Sequence, residues 1–223
     1  MQIRALIFDF DGTIVDTESP EYQSWCEVYR QHGCELPLAV WGTAIGTGEG
    51  PFDPYDYLES QSQRPVDREQ IASARRRRNQ ELMANQGVCS GVEALLRAAK
   101  GQGLKVGLAS SSPRAWVAGH LARLGLTGFF EAVLSSDDVE KTKPDPELYL
   151  RALAQLHIEP KEAIAIEDSP NGVLAAVAAG IYCVAVPNEV TSQLEIHGAH
   201  LTLESLAQIS LADLIRRAEE GRG

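Results

Sequence analysis

The chain has 223 residues, 31 Asp+Glu against 20 Lys+Arg, and a formal net charge of −11. That balance makes it a poor non-specific ligand for nucleic acid or an anionic membrane, and 44% hydrophobic content excludes a disordered chain. Cys26, Cys34, Cys89 and Cys183 form no C-x-x-C pair, so buried free thiols in a reducing cytosol are expected rather than a zinc site or disulfides.

Taken in chain order, the first element is the apolar run Ile3–Phe10, closed by Asp-Gly. Arg4 interrupts it and acids follow at once, so it reads as a strand and not a signal peptide. Elsewhere no stretch approaches the ~20 apolar residues of a membrane helix. The expectation is a cytoplasmic protein, monomeric, with no nucleic-acid or membrane partner.

Residues 17–86 then lack a convincing strand. They read as helices over Glu21–Gln31, Pro54–Ser62 and Asp67–Asn85, a small helical domain inserted after the first strand. Its Gly42–Gly50 stretch carries four glycines, either a turn facing the core or a surface loop. Arg75–Arg78 places four cations on a helix, where they point in all directions.

From residue 87 the pattern alternates. Ser90-Gly91-Val92-Glu93 matches a capping box before a helix over Ala94–Lys100. Lys105–Ala109 is a second strand, and Ser111 or Ser112 with Pro113 opens a helix through Leu124, stopped by Gly125. Further strands are read at Ala132–Leu134, Ala163–Ile166 and Tyr182–Val186, with helices at Pro146–Leu156 and Pro170–Ala179. The tail after Ala212 ends in a charged Glu-Glu-Gly-Arg-Gly that reads as frayed. Continuous apolar strands between amphipathic helices predict an α/β doubly wound, mainly parallel sheet. The domains are therefore a core of 1–16 and 87–223 and a helical cap of 17–86.

Chemistry concentrates at strand ends. Asp9 and Asp11, at i and i+2, leave the first strand on one side, and Gly12 permits a sharp turn after them. Two such carboxylates need a cation or a shared proton, although Asp-Gly is also ordinary turn chemistry. Ser110 ends the second strand, as an anion-cradling hydroxyl or a helix cap. Lys143 lies in the proline-framed Lys141–Pro146 segment. Glu167 and Asp168 end the fourth strand, where Asp168 could also cap the next helix. No histidine neighbours these acids in sequence.

In this order the residues resemble the haloacid dehalogenase-like superfamily: Asp9-Phe10-Asp11-Gly12-Thr13, Ser110, Lys143 and Glu167-Asp168. Asp16-Thr17-Glu18 and Glu167-Asp168-Ser169-Pro170-Asn171-Gly172 are similar to its β-phosphoglucomutase-like subgroup with a helical cap. The resemblance implies a Mg²⁺-dependent phosphatase for a small phosphorylated metabolite such as a sugar phosphate. It makes Asp9 the nucleophile that forms an aspartyl-phosphate and Asp11 the general acid and base. Ser110, Ser111 and Lys143 would hold the phosphoryl group, and Asp9, Asp11 through its carbonyl, Asp168 and Glu167 the metal. Glu18, Gly46 and Asn171 are candidates for substrate binding.

Two alternatives remain at this point. A phosphosugar mutase would share Asp9, but this subgroup's mutases carry a cap histidine where this chain has Glu21, and a basic loop residue absent around Gly46–Gly50. A receiver-like phosphoacceptor module would need neither Asp11 nor the insert. A dehalogenase suits the acids less well, and no G-x-S-x-G supports a serine hydrolase.

Overall fold

The computed structural model describes residues 2–42, 45 and 52–221. Six strands form one sheet: β1 (Ala5–Phe8), β2 (Lys105–Ala109), β3 (Ala132–Leu134), β4 (Ala163–Glu167), β5 (Tyr182–Ala185) and β6 (Leu201–Thr202). Their order is β3-β2-β1-β4-β5-β6, and every pairing is parallel. The unbroken apolar character of β1 follows from its place at the centre of the sheet. Leu6 and Phe8 enter a core shared with α5 (Val92–Gly101), α6 (Arg114–Arg123) and α9 (Leu211–Glu220). Ala5 and Ile7 enter the opposite core, with α7 (Glu147–Leu156) and α8 (Pro170–Ala178). Period-two alternation thus has no polar face to display, because helices cover both sides.

The chain winds from β1 outward through β2 to β3, then returns to the other side of β1 with β4. In a parallel sheet that reversal leaves a crevice at the carboxyl ends of the strands. Asp9 directly follows β1, Ser110 directly follows β2, and Glu167 ends β4.

Between β1 and α5 lie α1 (Glu18–Gln31), the short α2 (Leu38–Trp41), α3 (Pro54–Ser62) and α4 (Arg68–Met83). They gather around Trp25, Tyr29, Trp41, Leu58 and Ile71, a third apolar cluster joined from the core side by Val190. The Trp25 and Tyr55 rings meet edge-on at 5.0 Å.

Several local expectations change. The Ser90–Glu93 capping box does not form: Gly91 is the N-cap, at φ +89, without a side-chain bond. A Cβ there would lie 2.3 Å from the Ala207 nitrogen, so the backbone of 206–207 occupies the slot, and Glu93 pairs with Arg97 at 3.0 Å instead. Neither Ser111 nor Ser112 caps α6, whose N-cap is Pro113; Ser112 is committed elsewhere. Ser169, not Asp168, caps α8 by accepting from the Gly172 N–H at 3.1 Å. Of the closing Glu-Glu-Gly-Arg-Gly, Glu219 and Glu220 belong to α9, and residues 222–223 lie outside the described residues. Ser210 caps α9, and Leu211, Leu214 and Ala218 bury one stripe of it, a spacing of helical period. Cys183 is buried, but Cys26, Cys34 and Cys89 are half-buried; all four are free. Among the described residues no helix is long and apolar enough to cross a membrane.

Candidate active site

Asp9 is placed by β1, its N–H donating to the Ile166 carbonyl of β4 at 2.9 Å. The residue is 5% exposed, and its Oδ1 accepts from the Lys143 ammonium. Lys143 also contacts Glu167 Oε1 at 2.7 Å, and Tyr149 donates its hydroxyl to that oxygen at 2.5 Å. Burial opposes the charge of Lys143, but Asp9 and Glu167 outweigh it and raise its pKa, so it stays an ammonium. Burial moves Asp9 the other way for a carboxyl, up to about 8; Lys143 opposes this, while Glu167 and Asp11 add to it. Asp168 is likewise raised well above the ordinary carboxylate range by burial, with Asp9, Glu167 and Glu18 pushing the same way.

The site is therefore short of positive charge. Asp9, Glu167 and Asp168 are buried and present oxygens within 4.8 Å of one another. Lys143 offsets one of the three charges and leaves two. Glu167 Oε2 is buried with no partner. Three oxygen donors with an excess of two charges fit a hard divalent cation such as Mg²⁺. Gly12, at φ +81, makes room for this arrangement. A Cβ there would sit 2.1 Å from Asp168 Oδ2, an approach that only glycine permits.

Asp11 has different surroundings. Its Oδ2 accepts from Ser112 Oγ at 2.7 Å and Ser110 Oγ at 3.2 Å, and its Oδ1 from the Trp116 indole N–H at 2.8 Å. His120 packs edge-on against Trp116 at 4.3 Å, so one histidine lies a single ring away from a motif acid. Ser110 Oγ also accepts from the Ser112 N–H at 3.0 Å and is fully buried. The Ser111 hydroxyl is buried without a partner.

These groups surround a cavity of ≈ 320 Å³. Of the residues singled out from sequence, Asp9, Asp11, Ser111, Lys143, Asp168 and Glu18 line it. Ser110 and Glu167 stand behind them, bonded to Asp11 and Lys143 respectively. Burial raises Glu18 to about 8, reinforced by Asp11, Glu21, Asp9 and Asp16. Asn171 does not line the cavity; its amide donates to the Ile45 carbonyl at 2.9 Å and ties α8 to the helical segment. Gly46 lies outside the described residues.

Four supporting residues escaped the sequence reading: Ser112 and Trp116 on Asp11, Tyr149 on Glu167, and Asn188. Asn188 donates to Asp168 Oδ2 at 2.8 Å, while its own Oδ1 accepts from Val190 and Thr191 N–H at 2.9 Å each. It follows β5 closely, so the strand-end rule that selected Asp9 and Glu167 would have found it. Ser112, Trp116 and Tyr149 carry no comparable signal.

The profile of the haloacid dehalogenase-like hydrolases matches residues 6–186. YhcW of Bacillus subtilis (strain 168), whose name assigns it provisionally as a phosphatase, is 49% identical over 213 residues, 96% of each chain. A phosphorylated carbohydrates phosphatase of Thermotoga maritima is 30% identical over 181 residues, 80% of this chain and 82% of that one. Among solved structures, CbbY from Rhodobacter sphaeroides in complex with phosphate superposes with a TM-score of 0.70 at 27% identity, covering 96% of this chain and 99% of that one.

Proposed function

The chain belongs to the haloacid dehalogenase-like hydrolases and is a phosphatase of that family, and we propose that it hydrolyses sugar phosphates or similar small phosphomonoesters through an aspartyl-phosphate on Asp9. The observation that carries this reading is the buried Asp9–Lys143–Glu167 chain beside Asp168. A carboxylate needs no base to become a nucleophile, so Asp9 attacks phosphorus directly. The P–O bond to the sugar breaks as the Asp9–P bond forms, and Asp11 gives its proton to the departing alkoxide. Asp11 then takes a proton from water, whose oxygen attacks the aspartyl-phosphate and releases inorganic phosphate. Asp9 and Asp11 end as they began.

Asp9, Asp168 and the Asp11 carbonyl would hold Mg²⁺, with Glu167 beside it; the ion would offset the charge between nucleophile and phosphoryl group. Lys143 and Ser111, which line the cavity, bind phosphoryl oxygens, and preorganised donors of this kind contribute about 2.7–4 kcal/mol each to a transition state; Ser110, expected from sequence to join them, instead supports Asp11 from behind. Tyr149 and Glu167 fix the direction of the ammonium. Residues 17–86 act as a cap that covers the cavity and excludes water.

The test is release of inorganic phosphate from a panel of phosphorylated carbohydrates by the purified protein with Mg²⁺. Asp9→Asn is expected to abolish turnover and to leave the circular dichroism spectrum unchanged. Undiminished turnover in that variant would overturn the assignment.

A further inference from the structure

The cavity has two ends of different character. Asp9, Lys143 and Asp168 form the phosphoryl end, and Glu18, Glu21, Trp41 and Asn79 of the helical segment form the wall facing it. The Arg75–Arg78 run passes close by, yet none of the four lines this cavity. Arg75 is bound by Glu21 and lies over the Trp25 ring, 4.7 Å from its centroid. Arg78 is paired with Glu27 at 2.9 Å and Glu81 at 3.1 Å, and Arg76 and Arg77 are exposed. Among the described lining residues the one cation is Lys143, at the phosphoryl end. Residues 43–44 and 46–51 contain no lysine, arginine or histidine.

What the facing wall offers instead is neutral hydrogen bonding. Asn79 Oδ1, Trp41 Nε1 and Thr17 Oγ1 belong to lining residues and are buried without partners. A buried polar group is costly while unpaired. An acceptor, an N–H donor and a hydroxyl are together complemented by a ligand rich in hydroxyls, which both give and accept. Asn79 is oriented for this because its amide donates to the second oxygen of Glu21. One carboxylate therefore cancels Arg75 and sets the direction of Asn79.

We infer that Glu21 is a specificity-determining residue, selecting phosphomonoesters whose remaining body is an uncharged polyol and rejecting those with a carboxylate or second phosphate at the far end. The inference rests on the phosphatase reading of the Asp9 site. A second anion would meet no free cation at that wall, because Arg75 is already bound by Glu21, and an anion taken from water without a partner is strongly disfavoured.

The experiment compares kcat/KM for glucose 6-phosphate and 6-phosphogluconate, which differ at C1, a cyclic hemiacetal in the first and an open-chain carboxylate in the second, with 4-nitrophenyl phosphate as a reference. Wild type is expected to favour glucose 6-phosphate by at least about tenfold. Glu21→Gln releases Arg75 and shifts the ratio toward 6-phosphogluconate by a further factor of about ten. In Glu21→Gln combined with Arg75→Met no cation is released, and the gain disappears. An unchanged ratio in Glu21→Gln, or turnover of 4-nitrophenyl phosphate with none of glucose 6-phosphate, overturns the inference while leaving the phosphatase reading intact. Failure to hydrolyse any of the three overturns both.

Discussion

Gly172→Ala adds a single methyl group, and on helix propensity alone it should stabilise α8 by up to about 1 kcal/mol. The surroundings of Gly172 predict the reverse. A Cβ there would stand 1.9 Å from Glu167 Oε2, 2.1 Å from its Cδ and 2.3 Å from Oε1. The whole carboxylate must retreat by about 1.5 Å to reach ordinary contact near 3.4 Å. Glu167 is fully buried, and its Oε1 holds Tyr149 at 2.5 Å and Lys143 at 2.7 Å. A shift of that size loses both. Hydrogen bonds to charged groups contribute about 1.5–3 kcal/mol each, so the loss is about 3–6 kcal/mol. Set against the propensity gain, the net destabilisation is about 2–5 kcal/mol, which for a chain of this size lowers Tm by roughly 4–20 °C. Urea and thermal unfolding read the stability directly, and phosphate release should fall with it because Lys143 loses its support. The same methyl introduced into a Glu167→Ala background should cost little, since nothing remains to be displaced. A Gly172→Ala protein at least as stable as wild type, or an equal cost in both backgrounds, would refute the reasoning.

Two other expectations concern charge and proton transfer. Asp9 has a folded pKa of about 8 against an unfolded value near 3.9, so between those pH values the metal-free folded chain holds a proton that the unfolded chain has released. Stability should therefore fall as pH rises through that window and level off above it. The Tm of EDTA-treated protein should decline from pH 5 to 8, less steeply in Asp9→Asn, and Mg²⁺ should raise it most at the alkaline end; a metal-free Tm climbing over that range more steeply than in Asp9→Asn would contradict this. Trp116→Phe keeps a ring against His120 but removes the donor to Asp11 Oδ1. It should slow an alkyl phosphate about tenfold or more and spare 4-nitrophenyl phosphate, whose leaving group needs little acid assistance. Equal slowing of both would mark Trp116 as merely structural.

The sheet was largely legible in the sequence because its strands are continuous apolar runs. The runs Lys105–Ala109 and Ala132–Leu134 coincide with β2 and β3, and the Ala163–Ile166 run stops one residue short of β4 because Glu167 is an acid that ends a buried strand. Leu201–Thr202 was missed because two residues carry no period. The Ser90–Glu93 motif misled because a local pattern cannot register the 206–207 backbone pressed against Gly91. The acids of the candidate site were visible through their places at strand ends. Their supports were not: Trp116 reaches Asp11 across 105 residues of sequence, and Tyr149 reaches Glu167 from a helix face that looks purely apolar. Arg75 is one of several radiating cations in the sequence, and only the packing of α1 on α4 commits it to Glu21.

Two carboxyls a single residue apart thus depend on unlike supports. The donors to Asp11 all come from the seven-residue stretch 110–116, whereas Asp9 leans on groups brought from β4 and the 141–146 segment. A few changes in one short connection can retune the proton carrier while the nucleophile keeps its surroundings. Leaving-group preference can then drift between related enzymes without the phosphoryl-binding end being rebuilt.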